Sequence, residues 1–312
     1  MNNGSKIFYK SRMDSAFTIV ELLVVIVIIG ILAAITIVSY SGITKKASSV
    51  VVQSDLSSAS KKIAVYKMLY GGYPVMSAPD AVTGIFCPES PRVDADYCIK
   101  PSNGNVLKYS TNTTDGFVII GSKGGVTYSI TEDTVPVAWL EIGTQVWSKS
   151  NLNVGLMVNG VAGQEDNGVI EKYCYNNLES NCDQDGALYQ WGEAMDYKSA
   201  DASMGICPYG SHVPSDTEFK TLEKYLGMSQ AQADATGYRG TDQGSQIKLG
   251  GTTGLDILMA GGRQPDGVFS GIDTDGIIWT STESDVNALY RNLDSCQAPL
   301  ILDTLSIPKK AV

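Results

Sequence analysis

The chain has 312 residues, a net charge of −10 and 43% hydrophobic residues. This length allows two domains, and the acidity argues against a nucleic-acid-binding surface and favours solubility outside the cell. The sequence contains one histidine, which argues against metal chemistry that needs several histidine ligands.

The first element is a basic leader followed by an apolar segment. Residues 1–16 carry a net charge of +2, so the remainder carries −12. Residues 17–38 are almost all aliphatic, and their only charged residue is Glu21. A run of this length crosses the hydrocarbon core of a bilayer as a helix. The basic leader predicts a cytoplasmic N-terminus, with everything after Ser39 outside the membrane.

Residues 16–23, AFTIVELL, resemble the class III signal of type IV prepilins and pseudopilins. In that family a membrane peptidase cuts before the phenylalanine and methylates the new N-terminus. The resemblance implies cleavage between Ala16 and Phe17, although most members have glycine where this chain has Ala16. It also implies assembly through the N-terminal helix, for which Phe17, Glu21 and Gly30 are the candidate residues.

The helix is predicted to continue past the membrane surface. Apolar residues recur every three or four positions, which predicts one buried helical face. Gly71 and Gly72 then provide a C-cap, and Pro74 prevents the helix from resuming. We therefore predict one helix over residues 17–70. The stripe consists of Val52, Leu56, Ala59, Ile63, Tyr66 and Tyr70.

Residues 71–138 are predicted to form a small antiparallel β-sheet that packs on this helix. Short β-rich runs at 106–109, 117–120 and 126–130 are separated by Gly, Asn and Asp residues typical of turns. This region resembles the pilin head, so residues 17–138 form the predicted pilin-like domain. Cys87 and Cys98 enclose a short loop and are predicted to pair.

The composition changes near Trp139, where tryptophans appear among many Gly and Asp residues. Several separated motifs resemble the Fibrobacter succinogenes major paralogous domain, and we assign residues 139–312 to it. This resemblance implies a C-type-lectin-like α+β fold with one helix, irregular sheets and long loops. Ser211 departs from the family, which usually has Trp before His212. The motifs are GTQVW at 143–147, NLN at 151–153, CYN at 174–176, GALYQW at 186–191, CPYGSHVPSD at 207–216 and IWTSTE at 278–283.

All six cysteines lie after the apolar segment, which predicts disulfides in an oxidising compartment. Cys174 and Cys182 are close in sequence and are predicted to pair. Cys207 and Cys296 remain by elimination. Because family members usually end with a further cysteine, the alternative is that Cys207 pairs with a residue beyond the sequence given.

The sequence predicts no enzyme. It contains none of the serine-hydrolase, zinc-protease or P-loop motifs. His212 is predicted to be structural, beside a helix that Ser215 and Glu218 open as a capping box. Residues 261–267 are predicted to be a loop without dinucleotide-binding context. Four acidic residues are weak calcium candidates against the alternative of acidic turn residues. They are Asp266, Asp273, Asp275 and Glu283.

These observations predict a type IV pilus subunit that displays a lectin-like module for adhesion, surface or host-cell attachment, or twitching motility. Its expected partners are identical subunits in a helical filament, the prepilin peptidase, the assembly platform with its ATPase, and surface glycans or a host cell; nucleic acid is not expected. The subunit would lie in the cytoplasmic membrane before assembly and in an extracellular filament afterwards. The alternatives are a pseudopilin of a secretion or DNA-uptake machine, and a membrane-tethered sugar-binding or carbohydrate-active protein that does not polymerise.

Overall fold

The computed structural model describes residues 19–77, 84–111, 116–131, 136–208, 210–284, 287–295 and 302–308. Within these ranges, the side chains of residues 34–42 and 302–308 are not described. The chain divides into two compact units, Met1–Ala47 and Ser48–Val312. The predicted α+β class is confirmed, with a long N-terminal helix followed by several mainly antiparallel sheets.

The first helix, α1, runs over Ile19–Tyr70. The predicted stripe is buried from Val52 to Tyr66, with Val52, Leu56 and Tyr66 each 0% exposed, and Tyr70 at its end is half-buried. At its end, Gly71 has φ +77° and its N–H donates to the carbonyl of Lys67 at 2.8 Å, as expected of a C-cap glycine. The predicted helix is confirmed from residue 19 onward; residues 17 and 18 lie outside the description.

Helix α1 packs its buried stripe against a five-stranded antiparallel sheet of strand order β3-β4-β5-β6-β7. The three predicted β-rich runs are its first three strands. A short pair, β1 and β2, precedes them. The strands are β1 (Val75–Met76), β2 (Pro88–Ser90), β3 (Val106–Thr111), β4 (Phe117–Lys123), β5 (Val126–Thr131), β6 (Val137–Ile142) and β7 (Gln145–Ser148).

This sheet crosses the boundary that we predicted at residue 138. Strand β6 pairs with β5, with Ala138 opposite Tyr128. Ile142, at the end of β6, lies in a different core together with Phe219 and Leu222. We call residues 48–131 the head, β6 and β7 the bridging hairpin, and residues 149–308 the module. The bridging hairpin therefore contributes to the sheet of the head and to the core of the module.

The module contains short helices and a second five-stranded sheet of order β11-β10-β12-β13-β14. Its strands are antiparallel except for the β10–β12 pairing and the small β8–β9 pair. The elements are β8 (Leu156–Met157), β9 (Glu171–Lys172), α2 (Glu179–Asp185), α3 (Trp191–Ala194), α4 (Asp216–Tyr225), α5 (Gln230–Asp234), α6 (Gln243–Ile247), β10 (Ala260–Arg263), β11 (Phe269–Ile272), β12 (Asp275–Ser284), β13 (Asn287–Asp294) and β14 (Leu302–Pro308).

The predicted loop at 261–267 is partly wrong, because its first three residues belong to β10. Pairing with β11 on one side and β12 on the other holds them in the sheet. Gly261 has φ +72°, and a Cβ there would lie 2.7 Å from the carbonyl oxygen of Ser270. Only glycine fits this position, so the glycines mark a close backbone contact rather than a loop.

Helix α4 begins as predicted. Ser215 accepts a hydrogen bond from the N–H of Glu218, and the Glu218 side chain accepts one from the N–H of Ser215, which completes the capping box. Two of the three predicted disulfides also form, Cys87–Cys98 and Cys174–Cys182.

A buried ionic cluster lies beneath α4. Glu223 is 0% exposed and binds two arginines. The Nη2 of Arg239 donates to both of its oxygens at 2.9 Å. The Nε of Arg291 donates to Oε1 at 2.7 Å, and its Nη2 donates to Asp216 at 2.8 Å. We call these four residues the Glu223 cluster.

Candidate functional site

The N-terminal segment presents an apolar surface. The predicted processing residues, Ala16 and Phe17, lie outside the described residues. Glu21 lies in the first turn of α1. The neighbouring aliphatic side chains are exposed, from 45% for Val25 to 82% for Ile19. A Cβ built at Gly30 would meet nothing within 4 Å. Large exposed apolar surfaces mark sites that contact another protein or a membrane.

No helix among the residues whose side chains are described is long and apolar enough to cross a membrane. The predicted transmembrane segment, residues 17–38, extends beyond that part of the chain at both ends.

A cavity of about 620 Å³ lies where the sheet of the head meets the module. Its walls include the face of β4 and β5, the bridging hairpin, and the segment that leads into α4. The Nε1 of Trp139 donates to the Oγ of Ser129 at 2.7 Å, and the Nε2 of Gln145 donates to the carbonyl of Glu218 at 3.0 Å. These bonds connect the hairpin to both walls. The volume is within the range of small-molecule sites.

Cys207, which lines this cavity, is a free thiol. This finding disagrees with the predicted Cys207–Cys296 disulfide, and Cys296 itself lies outside the described residues. Cys207 packs against the apolar core around Trp191 and Trp279. Burial there raises the pKa of the thiol to about 12. At neutral pH the group is protonated, and it lacks the thiolate character of a catalytic nucleophile.

His212 also lines the cavity and lies beside the start of α4, as predicted. Its Nε2 is 2.8 Å from Oε1 of Glu218. The other oxygen of Glu218 accepts hydrogen bonds from the N–H and the hydroxyl of Ser215. The Glu218 carboxylate therefore caps α4, and His212 contacts this same carboxylate. This arrangement gives His212 a structural contact.

The four calcium candidates do not come together. Across the described part of the chain, no cluster of three or more His, Cys, Asp or Glu side chains has the arrangement of a metal site. Asp266 accepts from the N–H of Val268, and Asp275 accepts from Asn292. These two carboxylates therefore serve local loop and strand contacts.

Sequence reasoning missed the Glu223 cluster, although a local signal was present. Phe219, Leu222 and Leu226 are buried at the spacing of one helical face. Glu223 lies on that face, so a carboxylate in an apolar stripe indicated a buried partner. The cavity had no such signal, because its walls come from distant segments.

Comparison with known families identifies two parts of the chain. The model of the Fibrobacter succinogenes major domain matches residues 140–297, and that of the prokaryotic N-terminal methylation motif matches residues 11–37. Both resemblances drawn from the sequence are thereby confirmed. No curated protein and no solved structure matches the chain significantly, so the lectin-like fold of the module stays a prediction.

Proposed function

We propose, from the premise that the chain belongs to the Fibrobacter succinogenes major domain family and carries an N-terminal methylation motif, that it is a type IV pilin-like subunit. It assembles through its N-terminal helix into an extracellular filament and displays the module on the filament surface. The observation that carries this proposal is the methylation motif at residues 11–37, which overlaps the start of α1.

The exposed aliphatic surface of α1 supports the assembly step. The aliphatic residues between Ile19 and Leu32 are each at least 45% exposed. Burying such a surface against neighbouring subunits is favourable in proportion to the apolar area removed from water. Before assembly, the same segment holds the subunit in the cytoplasmic membrane.

The bridging hairpin supports the display step. Because β6 and β7 continue the sheet of the head, the module is joined to the head by backbone hydrogen bonds as well as by the chain. A load on the module is thus transmitted to the head without a flexible linker. The proposed role is attachment to a surface, a glycan or a host cell, and it requires no catalysis.

The test is Glu21→Ala. In the proposed assembly, this carboxylate meets the N-terminal amine of a neighbouring subunit, and the pair fixes the axial register. The variant should still insert into membranes and lose its leader, while its content in sheared filaments falls at least tenfold. Glu21→Gln, which keeps the shape and loses the charge, should be intermediate or equally poor. Glu89→Ala, at an exposed carboxylate of the head, is the matched control and should assemble normally.

The outcomes separate the alternatives. N-terminal sequencing of the mature protein should begin at Phe17, and a start at Met1 contradicts the proposal. A processed chain that is absent from extracellular filaments would indicate a pseudopilin of a secretion or uptake machine. An unprocessed, monomeric membrane protein would indicate a tethered binding protein.

A further inference from the structure

Two side chains from separate segments of the module converge on the amine of a buried lysine. Lys172, on β9, is 5% exposed. Its Nζ lies 2.6 Å from Oδ1 of Asn153 and 2.6 Å from Oε1 of Glu179. We call these residues the Lys172 triad. The Nδ2 of Asn153 in turn donates to a carboxylate oxygen of Asp183 at 3.3 Å.

This arrangement contains the groups that a transamidation needs. The amine is the nucleophile, the amide carbonyl is the electrophile, and the carboxylate can carry the proton. We propose that Lys172 and Asn153 form an intramolecular isopeptide bond, with Glu179 as the acid–base group. A carbonyl bond is about 1.23 Å long, so Cγ of Asn153 lies no farther than about 3.8 Å from Nζ. A small side-chain rotation brings the two atoms to the near-attack distance of about 3–3.5 Å.

The step balances without an oxidant or a cofactor. Glu179 accepts a proton from the lysine ammonium, and the free amine attacks Cγ of Asn153. The Nζ–Cγ bond forms and the Cγ–Nδ2 bond breaks. Glu179 returns its proton to the departing nitrogen, which takes up the second proton lost by Nζ. One ammonium group and one primary amide thus become one secondary amide and one ammonium ion.

The surroundings suit this reaction. The reactive amine is buried, which fixes its position, while the side chain of Glu179 is 54% exposed and Asn153 lies at the surface. The released ammonia can therefore enter solvent. The bond would attach Asn153 to the end of β9, two residues before the loop that the Cys174–Cys182 disulfide closes. The inference concerns a covalent link within the module and does not depend on filament assembly.

The test is mass spectrometry of the full-length protein purified from membranes in detergent. After reduction of the disulfides, a glutamate-specific protease cuts after Glu165 and separates Asn153 from Lys172 along the chain. We expect the two peptides to remain joined, with a combined mass lower by one ammonia. Two separate peptides of unmodified mass would overturn the proposal, and this outcome needs no variant.

Variants distinguish the link from other losses of ammonia. Lys172→Arg should abolish the joined peptide, and Glu179→Gln should slow its formation about 100-fold or more, since it removes the proton carrier. Asn167→Gln is the matched control: its amide also lies beside a carboxylate, 3.2 Å from Glu171, but it belongs to no such triad. This control should leave the joined peptide unchanged. Ammonia loss that persists in Lys172→Arg would reflect cyclisation of an asparagine and would also overturn the proposal.

Discussion

The head and the module are stabilised in different ways. In the head, the helix and sheet enclose an apolar core, and the buried polar side chains among its described residues are the neutral Asn105, Ser129 and Thr131. In the module, charged side chains are buried as well. Of the residues that the structure describes, the buried charged ones all belong to the module: Lys172, Glu193, Glu223, Arg239, Arg263 and Arg291.

This difference follows from the elements available to each region. The head has a helix of several turns, whose apolar stripe covers one face of a regular sheet. Most helices of the module have seven or fewer residues, too few to build a continuous apolar face. The module orients its segments with directional contacts instead, and Glu223 fixes two distant arginines by hydrogen bonds. Such contacts specify geometry, but they depend on every partner being present.

The largest expected effect tests the Glu223 cluster. Glu223→Ala leaves the buried guanidinium of Arg239 without its carboxylate partner. It also removes one of the two carboxylates that bind Arg291. Removing one partner of a buried ion pair costs about 3–5 kcal/mol. Urea unfolding followed by tryptophan fluorescence measures this loss, because all four tryptophans lie in the bridging hairpin or the module.

Glu165→Ala is the control for this experiment. Glu165 is exposed, so its truncation should change the free energy of unfolding by less than about 0.5 kcal/mol. A change of similar size for both variants would mean that the ionic cluster does not hold the module together.

A smaller effect tests the apolar core of the head. A Cβ at Gly121 would lie 2.9 Å from Cγ1 of Val52 and 3.0 Å from Cδ2 of Leu107. Gly121→Val therefore overpacks the contact between helix and sheet, at a cost of about 1–3 kcal/mol. Faster hydrogen exchange of the β3 and β4 amides would report this loss. Gly84→Val, where an added Cβ meets nothing within 4 Å, should leave those amides protected.

The same difference explains what the sequence could predict. Helix α1, strands β3 to β5 and the start of α4 were all predicted, since their signals are local: a spacing, a cap, or a β-rich run between turns. The bridging hairpin spans the domain boundary that the sequence predicted at residue 138. Its composition resembles that of the module, while its pairing with β5 is decided by tertiary contacts.

The candidate sites show the same limit. Residues 16–23 form a contiguous motif, and the methylation-motif match confirms the resemblance. The cavity draws on residues that are far apart in the sequence. The Lys172 triad joins residues 7 and 19 positions apart that lie in different elements, so no local pattern indicated either site. His212 was predicted correctly as a neighbour of the α4 cap, because that cap is a local pattern.

The smallest expected effect is a difference in acid sensitivity, and it arises at the first turn of α4. Burial alone would raise the pKa of Glu218, but hydrogen bonds from Ser215 and His212 outweigh it and lower the pKa below 4.5. Asp216 behaves alike: burial opposes ionisation, and hydrogen bonds from Arg291 and Lys220 lower its pKa below 3.8. Both carboxylates are therefore more acidic in the folded chain than in the unfolded one.

The sign of the pH dependence follows because the pKa of each carboxyl group is lower in the folded chain than in the unfolded chain. A lowered folded-state pKa stabilises the fold above the unfolded pKa, and this stability is lost as the pH falls through the folded pKa. The free energy of unfolding should thus be level above about pH 5.5 and decline below about pH 4.5. In the head, Asp94 also has a lowered pKa, from the Tyr70 hydroxyl, but it is only partly buried and contributes less.

Glu218→Gln sharpens this prediction because glutamine can complete a capping box without titrating. At pH 7 the variant should be less stable than the wild type by about 0.5–2 kcal/mol, the usual range for a helix cap. As the pH falls through the folded-state pKa of Glu218, the two proteins should converge, since the wild-type carboxylate then takes up a proton. Urea midpoints followed by tryptophan fluorescence measure the difference, and hydrogen exchange of β3 and β4 shows whether the head is spared. If the head amides lost protection at the same pH as those of α4, the two regions would unfold together. The connection through the bridging hairpin would then determine the unfolding more than the difference in composition between the two cores.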